Sequence, residues 1–157
     1  MSNIEIVELS KEEFNRCGSI WNVSADPKLA ERFNRELQEG SRRIFVYTID
    51  GVDVGEVALV TRGMDSNYII PGSRGYVSHL IVRKDFRGQG IGKQLIKFVS
   101  RAAWLSELNA LSVGVNLDNY VALKLYAETG FDRILQVCSD EDGEYLKLLK
   151  VITDEFE

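Results

Sequence analysis

The sequence predicts an α+β fold built on one large, mostly antiparallel mixed sheet of about seven strands flanked by four helices. Three observations lead there. Tight-turn signals such as Asp50-Gly51 separate neighbouring apolar runs, and this is how antiparallel hairpins are written in sequence. Residues 76–115 instead read apolar run, helical pattern, apolar run, a crossover that joins parallel strands. The length, 157 residues, is that of one domain spanning 1–157, and suffices to bury a core without staples.

The elements follow in chain order. "IEIVEL" is the first strand. "SKEEFNRCGSIW" is a helix with Ser10 and Glu13 spaced as a capping box. "DPKLAERFNREL" is a second helix, with Asp26 as N-cap, Pro27 at its first position and Gly40 at its end. "RRIFVYTI" and "VGEVALVTR" form the Asp50-Gly51 hairpin, and "GMDSNYIIPGSRG" is a loop rich in turn formers. "YVSHLIV" is nearly all apolar and reads as a central strand. The helix at 91–106 carries an apolar stripe of Ile91, Leu95, Phe98, Ala102 and Leu105. "ALSVGV" is another buried strand, "NYVALKLYAETG" a helix closed by Gly130, and "FDRILQV" and "EYLKLLKV" a last hairpin around "CSDEDG".

Composition narrows the function. Apolar residues make 45% of the chain and charged residues 27%, ordinary for a soluble protein. No apolar run reaches the roughly 20 residues a bilayer span needs, and the N-terminus lacks the basic and apolar regions of a signal peptide, so the expected location is cytoplasmic, without membrane association. Cys17 and Cys138 suit a reducing compartment and make no zinc site by themselves, so no metal is expected. The net charge of −5 argues against nucleic acid as a partner. Yet residues 83–101 hold Arg83, Lys84, Arg87, Lys93, Lys97 and Arg101 against Asp85 alone.

That basic stretch contains "RGQGIG", with Gly88, Gly90 and Gly92 directly before a helix. A helix N-terminus presents unpaired N–H groups and the positive end of the dipole, and glycine lets phosphate oxygens come close. The chain lacks the Gly-Lys-Ser/Thr ending of a Walker loop, because Gln94 follows Lys93. Its glycine spacing and mid-chain position do not suit a dinucleotide fingerprint. The segment does meet the pattern Arg/Gln-x-x-Gly-x-Gly/Ala in full.

In that pattern the chain resembles the GNAT superfamily, the acetyl-CoA-dependent N-acetyltransferases. "LIVRKDFRGQGIGKQLI" is similar to the family's strand, loop and helix for the cofactor, with Lys84 where many members have Pro. "NLDNYVALKLYAETGF" is similar to the next motif through Asn119, Ala122, Tyr126 and Gly130-Phe131. The element order agrees over nearly the whole chain. The resemblance implies that acetyl-CoA is the co-substrate. Backbone groups on the strand Leu80, Ile81 and Val82 would pair with the pantetheine arm. N–H groups of Arg87, Gly88, Gln89, Gly90, Ile91, Gly92 and Lys93 would hold the pyrophosphate, and Asn119 and Ala122 would flank the arm near the sulfur. The acceptor would be a primary amine, of a small molecule first and of a protein second. A CoA-binding module without turnover is a third reading. Many members pair through their C-terminal strands, which makes a homodimer the expectation.

Acetyl transfer needs a neutral amine, stabilisation of the thioester oxygen and protonation of the leaving sulfur. Tyr126 shares a helix face with Asn119 and Ala122 and is the candidate acid. The oxyanion donor is expected to be a backbone N–H at or near Leu80. The base stays open. Ser78 stands where many relatives have Glu, and serine is no base at neutral pH. His79, the chain's single histidine, adjoins it; Glu56 on the neighbouring strand is a second candidate, and water without a dedicated base a third. Neighbouring strand residues face opposite ways, so Ser78 and His79 share a face only if the strand bulges. Trp21 and Tyr68, in the segments expected to bound the acceptor, could receive a cationic molecule.

Overall fold

The computed structural model describes residues 1–156. Seven strands, β1 (Ile4–Glu8), β2 (Arg42–Ile49), β3 (Val52–Val60), β4 (Arg74–Val82), β5 (Ala110–Asn116), β6 (Arg133–Asp140) and β7 (Gly143–Val151), hydrogen-bond in the order β1-β2-β3-β4-β5-β7-β6. The helices are α1 (Pro27–Glu39), α2 (Ile91–Leu105), α3 (Tyr120–Glu128) and the short α4 (Thr153–Phe156), which the sequence did not announce. The α+β class holds, and the seven strands fall on the apolar runs that predict them. The chain divides into two compact units, Met1–Val60 with Ser78–Val99, and Thr61–Val77 with the chain from Ser100 onward.

The first unit is built on the β1-β2-β3 meander. Asp50 and Gly51 both have positive φ, 50° and 79°, the backbone that a two-residue type I′ turn requires, and Ile49 pairs with Val52 across it. Helix α1 begins as its sequence dictates, with the Asp26 carboxylate accepting the Leu29 N–H at 3.2 Å and Pro27 in the first turn. One side of the meander packs with Leu9, Cys17, Ile20 and Leu37 into a core that includes Ile44, Val46 and Ala58. On the other side Phe45 meets Phe98 edge-on at 5.4 Å and the Tyr47 hydroxyl donates to Gln94 at 3.0 Å.

The segment expected as a first helix is instead a 3-10 helix, Phe14–Ser19. Half of the predicted capping box forms: the Glu13 carboxylate accepts the Ser10 N–H at 2.8 Å. Asn15, Cys17 and Gly18 are poor helix formers, and the tighter winding lets Cys17 and Ile20 turn into the core.

In the second unit β5 pairs antiparallel with β7, which pairs with β6 at the outer edge. The first residues of β4 run parallel to β5, with partners Arg74 and Ala110, Gly75 and Leu111, Tyr76 and Ser112. That register then stops, although β5 continues to Asn116. Helix α3 is capped by Asn119, whose side-chain oxygen accepts the Ala122 N–H at 3.2 Å. Lys150 is buried, donating to Ser100 at 3.0 Å and pairing with Glu155 at 2.7 Å. The α2 stripe departs from expectation at its end. Leu105 is 63% exposed, while Ile96, Val99 and Ala103 are fully buried, because the helix buries a face turned toward positions 96, 99 and 103. Cys17 and Cys138 are both free thiols.

Candidate functional site

The first unit carries the glycine loop. After β4 the chain makes a single turn at Lys84–Phe86 and enters the loop with Arg87. The Arg87 guanidinium turns back and donates through Nε to the Val82 carbonyl at 2.9 Å, so it ties the loop to the end of the strand. Gly88 and Gly90 have φ of 79° and 82°, conformations that cost an L-residue about 1–2 kcal/mol. A Cβ at either would meet no protein atom within 4 Å, so the space beside the loop is open. Helix α2 starts at Ile91, its first hydrogen bond running from Gln94 N–H to Gly90 C=O at 3.2 Å. The N–H groups just before Gln94 therefore lie at the helix mouth, and no acidic side chain in the first turn offsets the dipole. This is the chemistry of an anion cradle.

The same unit gathers the candidate bases. His79 has φ +55° inside a strand, a left-handed residue that is not glycine. Such an irregularity is what Ser78 and His79 need in order to share a face. Both reach groups on one face of the sheet, Ser78 accepting from the Arg42 guanidinium at 3.0 Å and His79 Nδ1 lying 3.3 Å from Glu56 Oε2. Glu56 is 2% exposed, and its other oxygen has no partner. The indole N–H of Trp21 is likewise buried and unpartnered. The His79 ring sits edge-on to Trp21 at 4.7 Å and to Phe33 at 5.1 Å. Arg42 stacks on Phe33 at 3.7 Å and pairs with Glu36 at 2.9 Å; burial pulls its pKa below the usual guanidinium value. Burial, and then the Glu56 charge, push the Cys17 thiol far up, so it stays protonated and unreactive. His79 and Glu56, named separately from the sequence, thus form one pair. Arg42 and Phe33 were not legible in the sequence, because a buried arginine in a strand leaves no periodic signal.

The second unit holds a cavity of about 330 Å³. Asn119, Ala122 and Tyr126 line it from α3, as their i, i+3, i+7 spacing predicts; Gly114, Val115 and Asn116 line it from β5, with Tyr68, Tyr76, Asp140 and Tyr145 completing the wall. Tyr126 is 7% exposed and lies edge-on to Phe131 at 5.4 Å. Burial, with a smaller contribution from Tyr76, pushes its hydroxyl up to about 12, so it is a neutral donor through the physiological range. The Asn119 oxygen is engaged in capping α3, a duty its sequence role did not include. Tyr76, Asp140 and Tyr145 were not singled out from sequence, since nothing local ties them to Tyr126.

Among the described residues no cluster of acidic, histidine or cysteine side chains could hold a metal ion, and no helix is long and apolar enough to cross a membrane. The family model for an acetyltransferase (GNAT) domain matches residues 40–133. GCN5-related N-acetyltransferase 6 of Arabidopsis thaliana is 40% identical over 57 residues, 36% of this chain and 20% of that protein. N-alpha-acetyltransferase 30 of Saccharomyces cerevisiae is 28% identical over 83 residues, 52% of this chain and 47% of that protein. The chain thus spans less than half the length of the curated relatives it matches. Among solved structures, a GNAT family acetyltransferase from Elizabethkingia anophelis with acetyl-CoA bound superposes with TM-score 0.70 at 19% identity, over 95% of this chain and 98% of that one. An aminoglycoside 6′-acetyltransferase type Ii superposes with TM-score 0.74 at 16% identity, over 94% and 97%.

Proposed function

The chain belongs to the GNAT acetyltransferase family, and from that premise we propose that it transfers an acetyl group from acetyl-CoA to a primary amine of a small molecule. The observation that carries this reading is the pair of left-handed glycines, Gly88 and Gly90, opening the N-terminus of α2, where no acidic side chain competes with a phosphate. Acetyl-CoA supplies an activated thioester. The N–H groups from Arg87 to Lys93 hold its pyrophosphate, and the backbone of Leu80, Ile81 and Val82 aligns its arm. Ala122 flanks that arm, as does Asn119 by what its side chain has left beyond the cap.

The chemistry then needs two proton movements, as the C–N bond forms and the C–S bond breaks. His79 takes the proton of the attacking amine through Nε2, while Glu56 holds Nδ1–H at 3.3 Å and so fixes the tautomer. Tyr126 gives a proton to the leaving sulfur. Its raised pKa, about 12, keeps that proton in place until the thiolate departs.

Thiol release from acetyl-CoA, followed across a panel of amines, tests the reading. Release with small amines and none with peptide N-termini is expected. CoA binding without release for any acceptor would reduce the protein to a CoA-binding module. His79→Ala should lower kcat about a hundredfold, and Glu56→Gln should follow it part of the way. Unchanged kcat in both would return the base to water.

A further inference from the structure

We propose that Arg42 is a positioning residue for the His79–Glu56 pair: its guanidinium holds the left-handed turn of β4 that directs the imidazole onto Glu56. This rests on the reading of His79 as base for its effect on turnover, but on the packing around β4 for the turn itself.

The turn has to be held. Left-handed backbone crowds a Cβ against the following carbonyl, so a φ of +55° within a strand persists only where neighbouring bonds over-determine it. On one side of the turn the hydroxyl of Ser78, 5% exposed, accepts from Arg42 at 3.0 Å. On the other side the imidazole meets Glu56 at 3.3 Å and stands edge-on to Phe33 at 5.1 Å. Arg42 reaches both sides. It starts on β2, crosses β3 to bond Ser78 on β4, and lies over the ring of Phe33 at 3.7 Å. One guanidinium thus leads to His79 by two routes, the hydroxyl next to it in the chain and the ring packed against it.

The guanidinium is itself fixed. It is 3% exposed, and its Nε donates to Glu36 at 2.9 Å. A buried cation is expensive, and a core would be served as well by an apolar side chain of similar volume. What an apolar side chain lacks is direction. The planar fork bonds Glu36 and Ser78 along fixed lines while its face rests on Phe33. Lysine, a point charge on a flexible stem, does not reproduce that set of contacts.

His79 is the chain's single histidine, so nitrogen-15 NMR of the labelled full chain reads its tautomer directly. At a pH where the imidazole is neutral, the wild type should show the Nδ1–H form alone. Ser78→Ala keeps the cation and removes one route; Arg42→Lys keeps the charge and removes both. Each should bring up the Nε2–H form. In the thiol-release assay kcat should fall about tenfold in the first and up to about a hundredfold in the second, with the acetyl-CoA KM unchanged. Ile96→Val, a methyl deletion in the buried face of α2, should lower Tm and leave both tautomer and kcat as they were. A single Nδ1–H form retained in either folded variant overturns the proposal, as does a wild type without it. A mixture in Ile96→Val overturns it too, because the tautomer would then follow stability at large. Mixed tautomers with undiminished kcat would uphold the hold of Arg42 on the turn and sink His79 as base. A retained tautomer with lowered kcat would do the reverse.

Discussion

Tyr126 shows how burial decides what a single side chain can do. A phenol in water releases its proton near pH 10; this one is held to about 12, chiefly because the cavity wall denies the phenolate its water. Tyr126→Phe should therefore lower kcat by about tenfold to a hundredfold and leave CoA affinity, measured by calorimetry, nearly intact. Unchanged turnover would remove Tyr126 from the mechanism. The same burial makes stability depend on pH. Below pH 10 the tyrosine is protonated in both folded and unfolded chains and contributes nothing to that dependence. Between about 10 and 12 the unfolded chain loses the proton and the folded chain keeps it, so stability falls as pH rises. The loss approaches about 2–3 kcal/mol, because a tenfold difference in proton affinity between the folded and unfolded chains is worth about 1.4 kcal/mol. Tyr126→Phe should flatten that decline in urea titrations between pH 9 and about 11.5.

At the scale of elements, the two helices that bear on the site begin in different ways, and their first residues can be tested separately. Helix α3 starts on a side-chain cap, so Asn119→Ala should cost about 1 kcal/mol and lower Tm by roughly 3 °C, while Asn119→Asp preserves the cap. If Asn119→Asp keeps Tm but weakens CoA, the amide has a ligand role besides its structural one. Helix α2 starts on a bare glycine turn. A Cβ at position 90 meets no protein atom, so the fold of Gly90→Val should survive a backbone strain of at least about 1–2 kcal/mol. CoA affinity should fall more than tenfold, because the branched side chain occupies the open side of the loop; normal affinity would contradict the placement of the phosphates. These elements were legible because their signals are local. Asp26-Pro27 and Asp50-Gly51 favour one local backbone state, and the glycines at 88 and 90 permit left-handed dihedrals that other residues resist, whatever surrounds them. What stayed hidden depends on contacts distant in sequence. The left-handed turn at His79 arises within a β-branched, apolar run that reads as regular strand. The partnership of His79 with Glu56 joins positions 23 apart. Leu105 completes a helical stripe on paper, yet the face the helix buries leaves it 63% exposed.

Over the whole molecule, charge is distributed in a way that composition conceals. The chain carries 24 acidic and 19 basic side chains, and an even mixture would repel any polyanion. Six of those cations fall between residues 83 and 101, against Asp85, and in the fold this run spans the glycine loop and most of α2. Not all of them are available to a ligand: Arg87 is bonded to Val82, and Arg83 pairs with Asp85 at 3.3 Å. On the proposed reading the attraction is local, supplied by main-chain amides and the helix dipole, with side-chain charges adding a field that falls off within about 10 Å at ordinary ionic strength. A compact polyphosphate can enter that field; a duplex, which needs a broad basic face, meets the acidic remainder. CoA affinity should accordingly weaken several-fold between about 0.05 M and about 0.5 M salt and then level off, since amide contacts to phosphate survive screening. Duplex DNA should show no binding at either concentration. A CoA affinity that salt leaves untouched would mean the basic run is only a solvated helix face. A continuing steep loss with salt, or binding to duplex, would mean that side-chain charge, and not the backbone cradle at residues 88–93, carries the interaction.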